Sequence, residues 1–191
     1  MKIRNLFFIA IAAFAMTACN STPKPEPVDL GLSVKWANFN LGATKPSEKG
    51  TPYAWGEVQT KEKFSASNSE TYDVECESLT AEKDAASQNL GEPWRMPTQD
   101  EVKELISKCT WKWGKEDGVR GYIITGPNGN SIFMPVIDES NQYDPIANYW
   151  TSTVDDDGTN EYARALRFTE DKKVETYQDR CLGFSIRPVQ D

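Results

Sequence analysis

The chain contains no histidine among its 191 residues. That absence removes Ser-His-Asp and Cys-His catalysis, imidazole-ligated zinc and the commonest general base near neutral pH. Positive charge is also scarce, with 21 Lys and Arg against 29 Asp and Glu for a net charge of −8. An acidic chain without a basic stripe repels nucleic-acid phosphates, so nucleic-acid binding is not expected. Cysteine is limited to Cys19, Cys76, Cys109 and Cys181, and none of their spacings is that of a zinc site. Apart from Cys19, one disulfide with a free thiol and three buried thiols are both compatible with the spacing. The only long apolar run, residues 6–16, is shorter than the ~20 residues a bilayer span needs.

That run follows Lys2 and Arg4 and precedes small residues, the layout of an export signal over residues 1–18. Met16-Thr17-Ala18-Cys19 resembles the bacterial lipobox, with Met16 in place of the usual leucine. This resemblance implies diacylation of Cys19 and anchoring at the outer membrane, facing either the cell surface or the periplasm. Two or three acyl chains anchor firmly at roughly 0.8 kcal/mol per buried methylene. Residues 19–28 then read as a Pro-rich, semi-rigid tether, because proline fixes φ and favours extended backbone. The remaining residues, 29–191, carry no composition break or repeat and are enough for one domain with a proper core.

Within that domain the clearest local signal is "GEPWRMPTQDEVKELI" over residues 91–106. Thr98 followed by Glu101 is a capping-box pattern, and Val102, Leu105, Ile106 and Cys109 place one apolar face on a helix over residues 99–108. Trp94 and Met96 are expected to cover the helix entrance, with Arg95 between them either exposed or paired with a carboxylate. A second, shorter helix is expected over residues 80–90, with Ala81, Ala85 and Leu90 inward and Gly91 ending it. Strands are expected around "VKWANFNLG", "TWKWG", "NYWTST", "YARALRF" and "LGFSIRPV", and "GYIITGPNGNSIFMPV" reads as a hairpin. Polar residues 61–77 and the acidic segments "DDDGTNE" and "TEDKKVETYQDR" read as loops. The expected fold class is α+β, with two helices packed on a mostly antiparallel sheet with long loops.

Eight pieces occur here in the order of a known family: "DLGLSVKWANFNLGA", "YAWGE", "DAA", "WRMPT" followed by "E", "GPNGNSIFMPV", "YWTST" and "RCLGFSIRPV". They span residues 29–189 and resemble the FISUMP, or Fib-succ-major paralogous, domain of exported lipoproteins of gut bacteria. The resemblance implies a C-type lectin-like fold, in the branch that includes the formylglycine-generating enzymes. It further implies neighbouring terminal strands and a loop-rich upper face for ligands. Trp36, Trp55, Trp94, Phe184 and Arg187 would then be scaffold.

The thiol pair that holds copper in the formylglycine-generating enzymes has no counterpart; Cys181 stands alone in "RCLGF". The calcium-lectin triplet is also missing, since Glu92-Pro93-Trp94 has the wrong third residue, and no Trp-Asn-Asp occurs. Asp155, Asp156, Asp157 and Asn160 offer oxygen ligands, yet such an acidic turn is more often a solvated loop, and no metal or cofactor is assigned. The expectation is a non-catalytic binding or adhesion module for a glycan or protein. Related diversified domains imply a recognition face at Glu175, Thr176, Tyr177, Gln178, Asp179 and Arg180, with the loop 155–161, notably Asp156 and Asn160, and Tyr143 beside it. The alternative is an accessory subunit of an envelope assembly. It is favoured by the lack of an acidic cluster after Cys19, where only Glu26 occurs.

Overall fold

The tether segment is where the structure first departs from expectation. In the computed structural model, which describes residues 23–138, 145–156 and 158–191, the chain is already docked at its first described residues. Lys24 donates to the Leu90 carbonyl at 2.9 Å, and Glu26 and Asn38 exchange bonds of 2.9 Å. Pro27–Val28 forms strand β1 against β2 (Lys35–Ala37). Proline is tolerated there because β1 is an edge, where a missing N–H costs no ladder bond. Cys19, Tyr143 and Asp157 lie outside the described residues.

The architecture is α+β, with helices α1 (Ala85–Leu90) and α2 (Gln99–Lys108) and three small antiparallel sheets. The first sheet joins the chain ends in the order β1-β2-β9, where β9 (Val189–Gln190) places Val189 opposite Trp36. The second is β3 (Thr110–Glu116), β4 (Val119–Thr125) and β5 (Ser131–Pro135) in sequence order. The third is β6 (Ala147–Val154), β7 (Tyr162–Phe168) and β8 (Lys173–Asp179), also in sequence order. Among the described residues no helix is long and apolar enough to cross a membrane.

The expected single sheet is thus divided, and the divider is the segment expected as the strand "LGFSIRPV". Only Val189 of it lies in a strand. Phe184 bridges to Tyr53 and Ser185 bridges in parallel to Tyr149, so the segment threads between sheets. Pro188, which has no N–H to give a ladder, contributes its carbonyl to Ala37 N at 2.8 Å.

Helix α2 forms as its sequence dictates. The Thr98 hydroxyl accepts from Glu101 N at 3.2 Å and the Glu101 carboxylate accepts from Thr98 N at 2.7 Å. Further along, Glu104 ties the helix to the N-terminal loop through Ser33 N at 3.0 Å and Ser33 Oγ at 2.5 Å. Lys108 and those Ser33 donors hold the Glu104 carboxyl down at about 2. The other expected helix breaks in two: a 3₁₀ turn at Ala81–Lys83, then α1, leaving Ala81 exposed. Asp84 is the reason. Its carboxylate accepts from Ala86 N at 2.8 Å, Ser87 N at 3.0 Å and Met96 N at 2.8 Å, so it caps α1 and pins the "WRMPT" corner at once.

Two apolar clusters fill the interior. One packs Val102 and Leu105 of α2 against Ile124, Met134, Tyr149, Leu166 and Phe168. The other gathers Trp55, Met96, Trp150, Ala163, Ala165 and Ile186 on the opposite side of β7. Each fully buried large side chain contributes roughly 1.5–3 kcal/mol. The β4–β5 turn joins the core at Gly126, where a Cβ would lie 2.0 Å from the Leu30 carbonyl oxygen, so only glycine fits.

Of the residues expected as scaffold, Trp36, Trp55, Trp94 and Arg187 are buried, while Phe184 is half-buried with its ring 4.6 Å from that of Trp150. Trp94 and Met96 are buried, and Arg95 is paired, bonding Glu101 at 2.9 and 2.7 Å and Asp191 at 2.7 Å. The Arg95 backbone exchanges bonds with Val189 at 3.0 and 2.9 Å, so this corner clamps the C-terminal strand to the mouth of α2.

Candidate functional site

The segment expected as a C-terminal loop is strand β8, and this changes the site. Successive side chains on a strand point to opposite faces. Its register with β7 sets Leu166 opposite Glu175, Arg164 opposite Tyr177 and Tyr162 opposite Asp179. Directly opposed residues share a face, so Glu175, Tyr177 and Asp179 lie on the side of the sheet that α2 covers. Consistently, Gln99 of α2 donates to Glu175 Oε2 at 2.8 Å. Thr176 and Gln178 lie opposite Ala165 and Ala163, which belong to the other core cluster. They face away from Tyr177, so the six contiguous residues do not form one surface.

Arg180 is excluded more strongly, being fully buried. Its Nε donates to the Tyr162 carbonyl at 2.9 Å and its Nη1 to the Val74 carbonyl at 3.1 Å, while the guanidinium stacks 4.7 Å over the Trp55 ring. It fastens the long loop before α1 to the end of the sheet. The Thr71 hydroxyl bonded to the Trp55 carbonyl, and Asp73 N bonded to Asn160 O at 3.2 Å, fasten the same loop. Residues 71–74 are therefore docked.

What remains is a surface at the N-terminal end of α2. Tyr177 is 54% exposed, and its ring meets Tyr162 edge-on at 5.4 Å and 72°. Beside it Arg164, which sequence reading missed, binds Asp155 Oδ1 at 2.6 Å and Asp156 Oδ1 at 3.3 Å. The alternation in "YARALRF" carried that signal, since Arg164 falls two residues from Leu166 on the same face. Asp155 is buried by this pair, whereas Asp156 is exposed. Asn160 is half-buried, with its carbonyl engaged by the docked loop.

The surface is net acidic, with Arg164 and Lys103 set against Asp100, Asp155, Asp156, Glu175 and Asp179. Lys103 lies 3.0 Å from Asp100 and 3.8 Å from Glu175, and the Asp100 bond raises its proton affinity. On the far side Tyr72 hydrogen-bonds Glu161, and partial burial followed by the charges of Glu161 and Asp179 pushes its phenol up. Cys76, Cys109 and Cys181 are free thiols. Burial pushes the Cys109 and Cys181 thiols up, so both stay protonated and weakly nucleophilic at neutral pH.

The arrangement offers one propped aromatic ring bordered by Arg164, Asp156, Glu175, Lys103 and Asp179. Such a rim supplies hydrogen bonds and charge contacts around an apolar plate. Comparison of the chain with family models, with characterised proteins and with solved structures finds no match.

Proposed function

We propose that the chain is a lipid-anchored, non-catalytic binding or adhesion module of the bacterial envelope, recognising a glycan or a protein without calcium. In this reading its fold is C-type lectin-like, of the FISUMP kind, and Cys19 carries the lipid. The observation that supports it most is the half-exposed Tyr177 ring on an ordered strand, braced by Tyr162. A tyrosine held this way presents a large amphipathic surface and loses little conformational entropy on binding. The protonated thiols and the lack of histidine support recognition over catalysis.

The recognition surface is narrower than the sequence resemblance implies. It centres on Tyr177, with Glu175, Asp179, Asp156 and Arg164 as its rim. Thr176, Gln178 and Arg180 fall outside it.

The anchor is tested by growing cells with a labelled fatty acid and comparing the parent with Cys19→Ala. Label on the parent alone is the expected result; an unlabelled parent removes the anchor from the proposal. Protease treatment of the same cells, intact and lysed, separates two orientations. Cleavage in intact cells accords with outward recognition. Cleavage only after lysis favours the accessory-subunit reading, which the sparse acidity after Cys19 also supports.

A further inference from the structure

Strand β8 closes its sheet on one side only. It pairs with β7 through all seven residues, and among the described residues no strand pairs with its other side. None of those seven residues is buried, although at the strand's last residue the Asp179 carbonyl already accepts from Leu182 N at 3.0 Å. An open edge of this length presents unpaired N–H and C=O groups and is a template for strand addition, unless charges are set against it.

The charges on β8 favour one pairing in particular. Its sequence, "KVETYQD", is matched to itself in the antiparallel sense about Thr176. In that register Lys173 faces Asp179 of the second copy, and Asp179 faces the second copy's Lys173. Thr176 meets Thr176, Val174 meets Gln178, and Glu175 meets Tyr177. Opposite charges and Thr-Thr pairs directly across an antiparallel ladder are favourable, whereas like charges there are not. The other edge strand of equal length, β3 with "TWKWGKE", has no such match over its full length, and Lys112 meets Glu116 only in a register shortened to five residues about Gly114. Centred on Trp113, its self-pairing sets Lys112 against Gly114 and Lys115 against Trp111, with no cation opposite an anion.

We infer that two copies of this chain join edge to edge through β8, antiparallel and centred on Thr176, making a continuous six-stranded sheet. The twofold axis stands perpendicular to that sheet, and the interface is isologous, as in most closed dimers. Strand addition uses the backbone edge and leaves the side-chain faces open. The two Tyr177 rings come to lie on the same face and on diagonal positions, within reach of aromatic side chains. The dimer therefore sets two Tyr177 rings side by side on one face, each bordered by the partner's Glu175, whatever that face recognises.

The test is sedimentation of the full chain in a mild detergent, read as mass. The parent is expected to be a dimer that weakens as salt is raised. Lys173→Asp alone and Asp179→Lys alone are each expected to be monomeric, because each sets like charges across the axis. A mixture of the two variants is expected to pair, and the double variant to regain the dimer. That recovery also separates a lost interface from a damaged fold, since Lys173 lies 5.7 Å over the Trp111 ring of its own chain. Thr176→Cys reports the register, because facing residues at about 4.5–5.5 Å between Cα atoms are within disulfide reach. A monomeric parent, single variants that dimerise like the parent, or failure of the double variant to regain the dimer would each overturn the proposal.

Discussion

Arg187→Ala is expected to lower stability by about 5 kcal/mol, enough to leave little folded protein at growth temperature. The side chain is 1% exposed and donates from three nitrogens to three acceptors in two separate stretches of the chain, residues 37–40 and Phe133. Nε reaches Asn40 Oδ1 at 2.8 Å, Nη1 the Ala37 carbonyl at 3.0 Å and Nη2 the Phe133 carbonyl at 2.8 Å. One guanidinium thus ties the sheet that joins the chain ends to β5. Truncation leaves acceptors that are buried without this donor, at about 1–3 kcal/mol each, and opens a cavity besides. Against a total stability of roughly 5–15 kcal/mol this is a large fraction. Burial pulls the Arg187 guanidinium down to about 10, which keeps it charged at neutral pH. Arg187→Lys is expected to recover only part of the loss, since an ammonium cannot span three divergent acceptors. Urea unfolding of the three proteins measures this; an Arg187→Ala midpoint equal to the parent's contradicts it.

Arg180→Ala is expected to cost about 3 kcal/mol and to free the docked loop. Its two carbonyl partners, on Tyr162 and Val74, belong to the sheet and to that loop respectively. Without the guanidinium the Trp55 ring also loses its stacked partner. The remaining ties cluster at residues 70–73, through Glu70 N to Glu57 and through Thr71, Tyr72 and Asp73, and leave the loop beyond them prone to local opening. Limited proteolysis is therefore expected to cut residues 61–77 in the variant at protease levels the parent survives. Equal resistance would show that the loop is held by something else. Any binding lost in this variant reflects the loosened loop, and it is unsuited to mapping a recognition surface.

The family resemblance gives Arg187 as scaffold and Arg180 as a recognition residue, and local pattern alone reveals the burial of neither. Arginine is a surface residue by composition, and its burial here depends on acceptors far along the chain, such as Val74 for Arg180 and Phe133 for Arg187. Features settled within a few residues were legible. The Thr98 and Glu101 box gave α2 its first residue, and the Gly-Pro-Asn-Gly turn placed β4 and β5. Strand β8 was hidden because edge strands carry charge, so "KVETYQD" has the composition of a loop. Only its pairing with β7 makes it a strand. Once it is one, the period of two separates Tyr177 from Thr176 and Gln178, and the contiguous recognition segment dissolves. The Pro-rich start misled in the opposite way: proline excludes helix and central strand, but an edge position such as β1 accepts it.

The central claim is that Tyr177 is a contact and not a support. It is tested most directly by measuring, for the parent and Tyr177→Ala, both the melting temperature and capture on a panel of immobilised glycans and envelope proteins. The account predicts a ligand bound by the parent and at least tenfold weaker capture by the variant. It also predicts melting temperatures that agree within about 2 °C, because a half-exposed ring contributes little to the core. Undiminished capture, or capture lost together with a collapse in melting temperature, would contradict it.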